Sequence, residues 1–329
     1  MKLVTDYFRE LWTASWTGWN RFWFTPSDPA TLSLIRILAG SMLLYTHWSW
    51  SVDLLGFFGS EGRIPVEFAQ RFQDTPFAWS YLYYISSPTW LWVAHVAALV
   101  ILFLFMIGYL TRVMSVLVVL ITISYAHRST GALFGLDQIN GMLALYLAVG
   151  PSGDAWSVDA WLRRRRNPSS PRIRESVLAN VAIRLIQLHM CIIYLFAGLG
   201  KLLGQSWWAG TALWGAFGNF EYQTMDMTWL AAHPLLINAI TQLILAWEVA
   251  YCALVWPRLT RPLVLALAVP LHLGIAFGMG MITFGLAMLY GNLAFVPPHL
   301  VRSLFEFRTR QPVTVSEGQG RERSLVETS

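Results

Sequence analysis

Long apolar runs follow one another along almost the whole chain, and they constrain it more than any other feature. A run of about 18 or more apolar residues reads as a helix that crosses a bilayer. Eight candidates can be placed, at roughly 30–50, 88–108, 112–127, 136–150, 178–203, 235–256, 262–279 and 281–297. The fourth is short, and only Gly278-Met279-Gly280 separates the last two, so a count of six or seven stays open. Charge is correspondingly scarce. Only 12% of the residues are charged and 56% are hydrophobic, too little charge to cover a soluble domain. The surface has to be buried in lipid, and 17 Trp suit a chain that meets the bilayer interface. The expected fold is all-α, a polytopic membrane helix bundle. Cys191 and Cys252 have no CxxC spacing, and no zinc or redox signature follows from them.

The basic residues orient the bundle. With eight spans and a cytoplasmic N-terminus, 17 of the 23 Lys and Arg fall in cytoplasmic segments. Only Arg63, Arg71 and Arg128 fall in outer loops, and Arg36, Arg184 and Lys201 lie inside spans. That asymmetry is the positive-inside pattern. Both termini are therefore expected in the cytoplasm, with the chain in a bacterial-type inner membrane. The run Arg163–Arg166 beside the fourth and fifth spans would face anionic headgroups. Nucleic acid is the rival partner for such a run, and no soluble module supports it.

Three regions follow. In residues 1–28, Phe8, Trp12, Trp16, Trp19 and Trp23 recur on one helical face, as in an amphipathic helix lying on the inner leaflet. Residues 29–298 form the transmembrane domain. Residues 299–329 read as a polar, disordered cytoplasmic tail.

Ionisable groups at membrane depth are costly, which makes each a functional candidate. Lys201 lies near the outer end of the fifth span, after the small residues Ala197, Gly198 and Gly200. It reads either as a lysine snorkelling to the outer headgroups or as an amine kept partly neutral, able to act as a base. Small neighbours would admit another helix or a flat ligand. Helix rise puts Glu248 and His272 about 12 and 15 Å from the inner loop, on consecutive spans. At matching depth they can pair with each other, in a cluster separate from Lys201 unless helix tilt joins the two. Arg36, about 9 Å deep, is expected to meet a carbonyl or a headgroup. Arg128 and Asp137 flank Gly131 and Gly135 in a loop that either lines a polar mouth or is a solvated turn. No metal-ligand spacing, phosphate-binding Gly loop, HExxH or GxSxG occurs.

Three stretches resemble the HTTM (horizontally transferred transmembrane) domain, the membrane domain of vitamin K-dependent gamma-carboxylases. The first is Pro151-Ser-Gly-Asp-Ala-Trp156-Ser-Val-Asp159. The second is Tyr194-Leu-Phe-Ala-Gly-Leu-Gly-Lys201-Leu, followed by Trp207-Trp-Ala-Gly210. The third is the series Glu248, Arg261, His272. The likeness covers roughly residues 29–298. It implies a reduced quinone of the vitamin K or menaquinone type, with Lys201 at the position of the base that deprotonates it. His272 and Glu248 join Lys201 as catalytic candidates, and Gly198, Trp207, Arg128 and Asp137 are candidates for holding the cofactor. Two departures stand out. Where the carboxylases have a histidine before the fourth span, this chain reads Phe134-Gly-Leu-Asp137-Gln138-Ile-Asn140. Few residues follow the last span, so the lumenal substrate-binding region of the carboxylases is not expected.

Three functions fit these residues. One is a quinol-linked, carboxylase-like enzyme acting on a small molecule or a separate protein substrate. Another is a non-catalytic quinone- or lipid-binding protein or subunit. The third is a transporter built on Glu248 and His272, against which stands the lack of an internal repeat.

Overall fold

The computed structural model describes residues 2–73 and 77–305. Among these residues no strand forms, and Ser27 and Ser176 make an isolated backbone bridge. The helices in order are α1 (Lys2–Phe24), α2 (Ala30–Trp50), α3 (Leu54–Phe58), α4 (Val66–Arg71), α5 (Pro88–Ile107), α6 (Thr111–Arg128) and α7 (Gly135–Val149). They continue with α8 (Val158–Arg166), α9 (Val177–Leu202), α10 (Gln205–Trp208), α11 (Ala212–Phe217), α12 (Pro234–Leu254), α13 (Arg261–Gly278), α14 (Ile282–Asn292) and α15 (Pro298–Phe305).

Each of the eight apolar runs is helical, in α2, α5, α6, α7, α9, α12, α13 and α14. Four of them, α5, α9, α12 and α13, are long and apolar enough to cross a membrane. A fifth is reached if Ile282–Phe295 and Pro298–Phe305, bent by 116°, count as one broken span. The others are shorter or more polar, and packing explains why. Helices α2, α7 and α14 pack on one another, and α9 packs on α7 and α14. A helix whose neighbours are protein can carry Arg36 or Asn140, because those neighbours supply the hydrogen bonds that lipid cannot. One continuous core joins these elements, from Leu32 and Ile35 on α2 through Leu143 and Leu147 on α7 to Met190 on α9 and Met288 on α14.

One end of the bundle, the end that carries the basic helix α8, is closed by a polar knot. Arg36 is fully buried there. It donates from its two terminal nitrogens to the carbonyls of Ser152 and Trp156, each at 2.7 Å. This is the carbonyl pairing expected of an arginine at that depth. Asp159 accepts the backbone N–H groups of Leu110 and Thr111 at 2.9 and 2.7 Å, together with the Thr111 hydroxyl. The carboxylate thus satisfies donors at the start of α6 that have no partner within the helix. Ser157 accepts the Ala160 N–H and caps α8. The Trp156-Ser-Val-Asp159 stretch is therefore a joint that locks α2, α5, α6 and α8 together.

Gly108 ends α5 with φ of 75°, in the left-handed region. A Cβ there would lie 2.4 Å from Ser157 Cβ and 2.7 Å from an Arg36 nitrogen. Gly108→Ala should cost about 2 kcal/mol or more, read as a lower unfolding midpoint in detergent. An unchanged midpoint would mean that the knot gives way freely.

Helix α1 has no buried residue. It is tied to α9 at its end, where Asn180 donates to the carbonyls of Phe22 and Trp23 and Arg184 lies over the Phe22 ring at 4.4 Å. Trp12 and Trp16 stack along its exposed face. At the other terminus, the expected polar tail begins with the helix α15. Arg302 grips Asp28, and Phe305 packs on Trp156. The rest of that tail, 306–329, lies outside the described residues.

Candidate membrane-embedded polar site

Lys201 and Glu248 form one ion pair. The Lys201 ammonium donates to both carboxylate oxygens of Glu248, at 2.9 and 2.7 Å. This corrects the expectation that Lys201 stands apart from Glu248. A depth taken from a shared inner surface assumes helices in register, but α12 is displaced along its axis relative to α9. Gly198 of α9 lies against Val249 and Glu248 of α12, and Tyr194 packs on Tyr251 with ring centroids 4.1 Å apart. Beyond Lys201, α12 runs on alongside α10 and α11, and Gln242 and Asn238 donate to the carbonyls of Trp207 and Ala209.

Gly198 is small because a helix occupies the space. A Cβ there would meet Val249 Cγ2 at 2.9 Å. Of the two uses open to small residues at this point, close helix approach is the one observed at Gly198. A Cβ on Gly200, by contrast, meets nothing within 4 Å. The Trp207 ring lies 5.2 Å from the Lys201 ammonium, a cation–π contact. The Lys201 side chain stays 25% exposed, against 8% for Glu248. The pair is thus more open at its lysine than at its carboxylate.

His272 does not pair with Glu248. Its Nε2 lies 2.6 Å from the Tyr194 hydroxyl. Asn292 donates to that same hydroxyl at 2.7 Å, and Tyr251 donates to Asn292 Oδ1 at 2.6 Å. The Tyr194 hydroxyl thus bridges Asn292 and His272, whose Nδ1 is buried without a partner. The network draws on four helices and adjoins the ion pair through Trp247, whose ring touches both Tyr194 and His272.

Tyr251 and Asn292 are not among the candidates above, and Tyr194 enters there only as the first residue of the Tyr194–Leu202 stretch; the signal for all three is a neutral polar side chain in an apolar run. A second such network joins His95 to Tyr125 and to Ser51, at 2.7 and 2.9 Å.

Arg128 and Asp137 are not brought together as a pair. Arg128 is fully buried and donates to the Gly59 carbonyl at 2.7 Å, which pins the loop after α3. Asp137 accepts the Phe134 N–H and caps α7. Other acidic groups of the expected outer face sit in turns. Thr228 donates twice to Asp226, which holds that carboxyl below its usual range. No group of three His, Cys, Asp or Glu suited to a metal occurs among the described residues.

The fold and this site define a helical integral membrane protein with a lysine–carboxylate pair set into its bundle. The chain belongs to the HTTM domain family, whose model matches residues 24–299. No curated protein and no solved structure gives a significant match.

Proposed function

We propose that the chain is a quinol-linked membrane enzyme that uses Lys201 as a base, crossing a bacterial-type inner membrane eight times with both termini cytoplasmic. The observation that carries this reading is the two-pronged Lys201–Glu248 pair, more open at Lys201 than at Glu248. The surroundings fit a flat ring bearing a hydroxyl. The ammonium sits on the Trp207 ring, and Gly200, one residue before it, leaves its Cβ space open. A reduced quinone there supplies a hydroxyl proton and reducing equivalents.

Glu248 makes the lysine usable. In water the ammonium form of lysine is strongly favoured, but burial narrows the gap between an ammonium–carboxylate pair and its neutral tautomer. Glu248 takes one ammonium proton and leaves a neutral amine. Lys201 then takes the hydroxyl proton. The net transfer is one proton from hydroxyl oxygen to the Glu248 carboxylate, and the regained ammonium faces the negative charge left behind. Tyr194 and His272 support the carboxylate's helix from behind.

Purified protein extracted into organic solvent should release an isoprenoid quinone near one equivalent per chain, identified by mass spectrometry. Lys201→Ala should lose most of it. A wild-type protein free of quinone, or equal quinone in the variant, would sink the reading.

A further inference from the structure

We infer that the bundle holds a second ligand site, independent of Lys201, for a lipid whose headgroup carries a primary ammonium. Three connected spaces form it. The first is an apolar groove of about 550 Å³ between α2 and α14, walled by Leu38, Met42, Leu286 and Leu289. Tyr45 and Thr283 line both its end and a chamber of about 230 Å³. Trp50, Phe58, Phe134 and Asp137 line that chamber. Thr46, Trp50 and Asp137 in turn line both the chamber and a recess of about 10 Å³ that reaches His47 and Asn140.

The recess ends on an unused acceptor. His47 is 2% exposed, and its Nδ1 lies 2.8 Å from the Leu43 carbonyl. A carbonyl only accepts, so the proton is on Nδ1 and Nε2 carries a free lone pair. That Nε2 is buried with no partner. Buried acceptors are normally satisfied, so this one points to a donor brought by a ligand.

Charge and shape give the class of that donor. Asp137 forms no ion pair among the described residues, and the nearest arginine in sequence, Arg128, donates through Nη2 to the Gly59 carbonyl and not to Asp137. A carboxylate, a bare imidazole nitrogen and aromatic faces together favour a cation with N–H bonds. A quaternary ammonium has the charge but no N–H for His47. The recess takes no more than one water or the N–H end of a headgroup. The apolar groove leading out between α2 and α14 gives an acyl chain its place and favours a lipid over a free amine.

The test is native mass spectrometry of the full chain in detergent. Phosphatidylethanolamine, phosphatidylcholine and phosphatidylglycerol of matched acyl chains are offered in competition, with free ethanolamine in a separate arm. The expected result is roughly tenfold preferential retention of phosphatidylethanolamine, equivalent to one factor of ten in binding constant. Asp137→Asn, which keeps a capping side chain, should remove that preference. Thr283→Phe, which narrows the passage and leaves Asp137 in place, should remove retention altogether. Equal retention of the three lipids, an unchanged preference in Asp137→Asn, or competition by free ethanolamine at equal concentration would each overturn the inference.

Discussion

Lys201→Met should lower quinol-dependent turnover about 100- to 10,000-fold, the range that a positioned general base contributes. The substitution also strands the Glu248 carboxylate, which is 8% exposed and has its two Lys201 contacts as its hydrogen bonds. Breaking a buried pair by removing one partner costs about 3–5 kcal/mol. The lower end applies here, because Lys201 is 25% exposed and water partly replaces it. Loss of activity through loss of fold is separated from loss of a base by the double variant Lys201→Met with Glu248→Leu. With neither charge buried, it should recover most of the unfolding midpoint in detergent and none of the turnover. A Lys201→Met protein that keeps full turnover removes the base. A double variant as unstable as the single one shows that the two charges do not depend on each other.

The second large effect belongs to Arg36. Arg36→Met should cost about 3 kcal/mol or more, since two charge-assisted hydrogen bonds to the Ser152 and Trp156 carbonyls are lost inside a closed site. Methionine fills much of the volume and supplies no donor, so both carbonyls lose that partner. The loss should appear as a lower unfolding midpoint and as protease cleavage between α7 and α8. An Arg36→Lys variant should recover only part of it, because one ammonium cannot match the planar fork that reaches two carbonyls. A midpoint unchanged in Arg36→Met would mean that the knot is held by Asp159 alone.

Much of this fold is legible in the order of residues, for a physical reason. A helix in lipid must satisfy its own backbone, so its apolar run is written continuously in the chain. All eight runs are helical, four of them long and apolar enough to cross a membrane, and the resemblance carried by the Tyr194–Leu202 stretch is matched by the family model. Whether a helix meets lipid or protein is less legible. It depends on packing, which is why α2 and α7 carry polar residues that a lipid-facing helix would not.

The site was legible in its members more than in its pairings. Lys201, Glu248 and His272 stand out as ionisable groups in apolar runs. Their partners depend on the axial offset between α9 and α12, and no local pattern records that offset. Gly198 is its nearest trace, a residue whose small size lets Val249 approach. Asn292 and Tyr194 could have been found by giving neutral polar residues in spans the same weight as charged ones.

The joint at Trp156–Asp159 also sets an order of events during synthesis. Arg36 finds its acceptors, and the start of α6 finds its cap, only in residues 152–159. Until the ribosome has made that segment, Arg36 and the start of α6 lack these partners, so the last hydrogen bonds of α2 and α6 on that side wait for a stretch more than a hundred residues after Arg36.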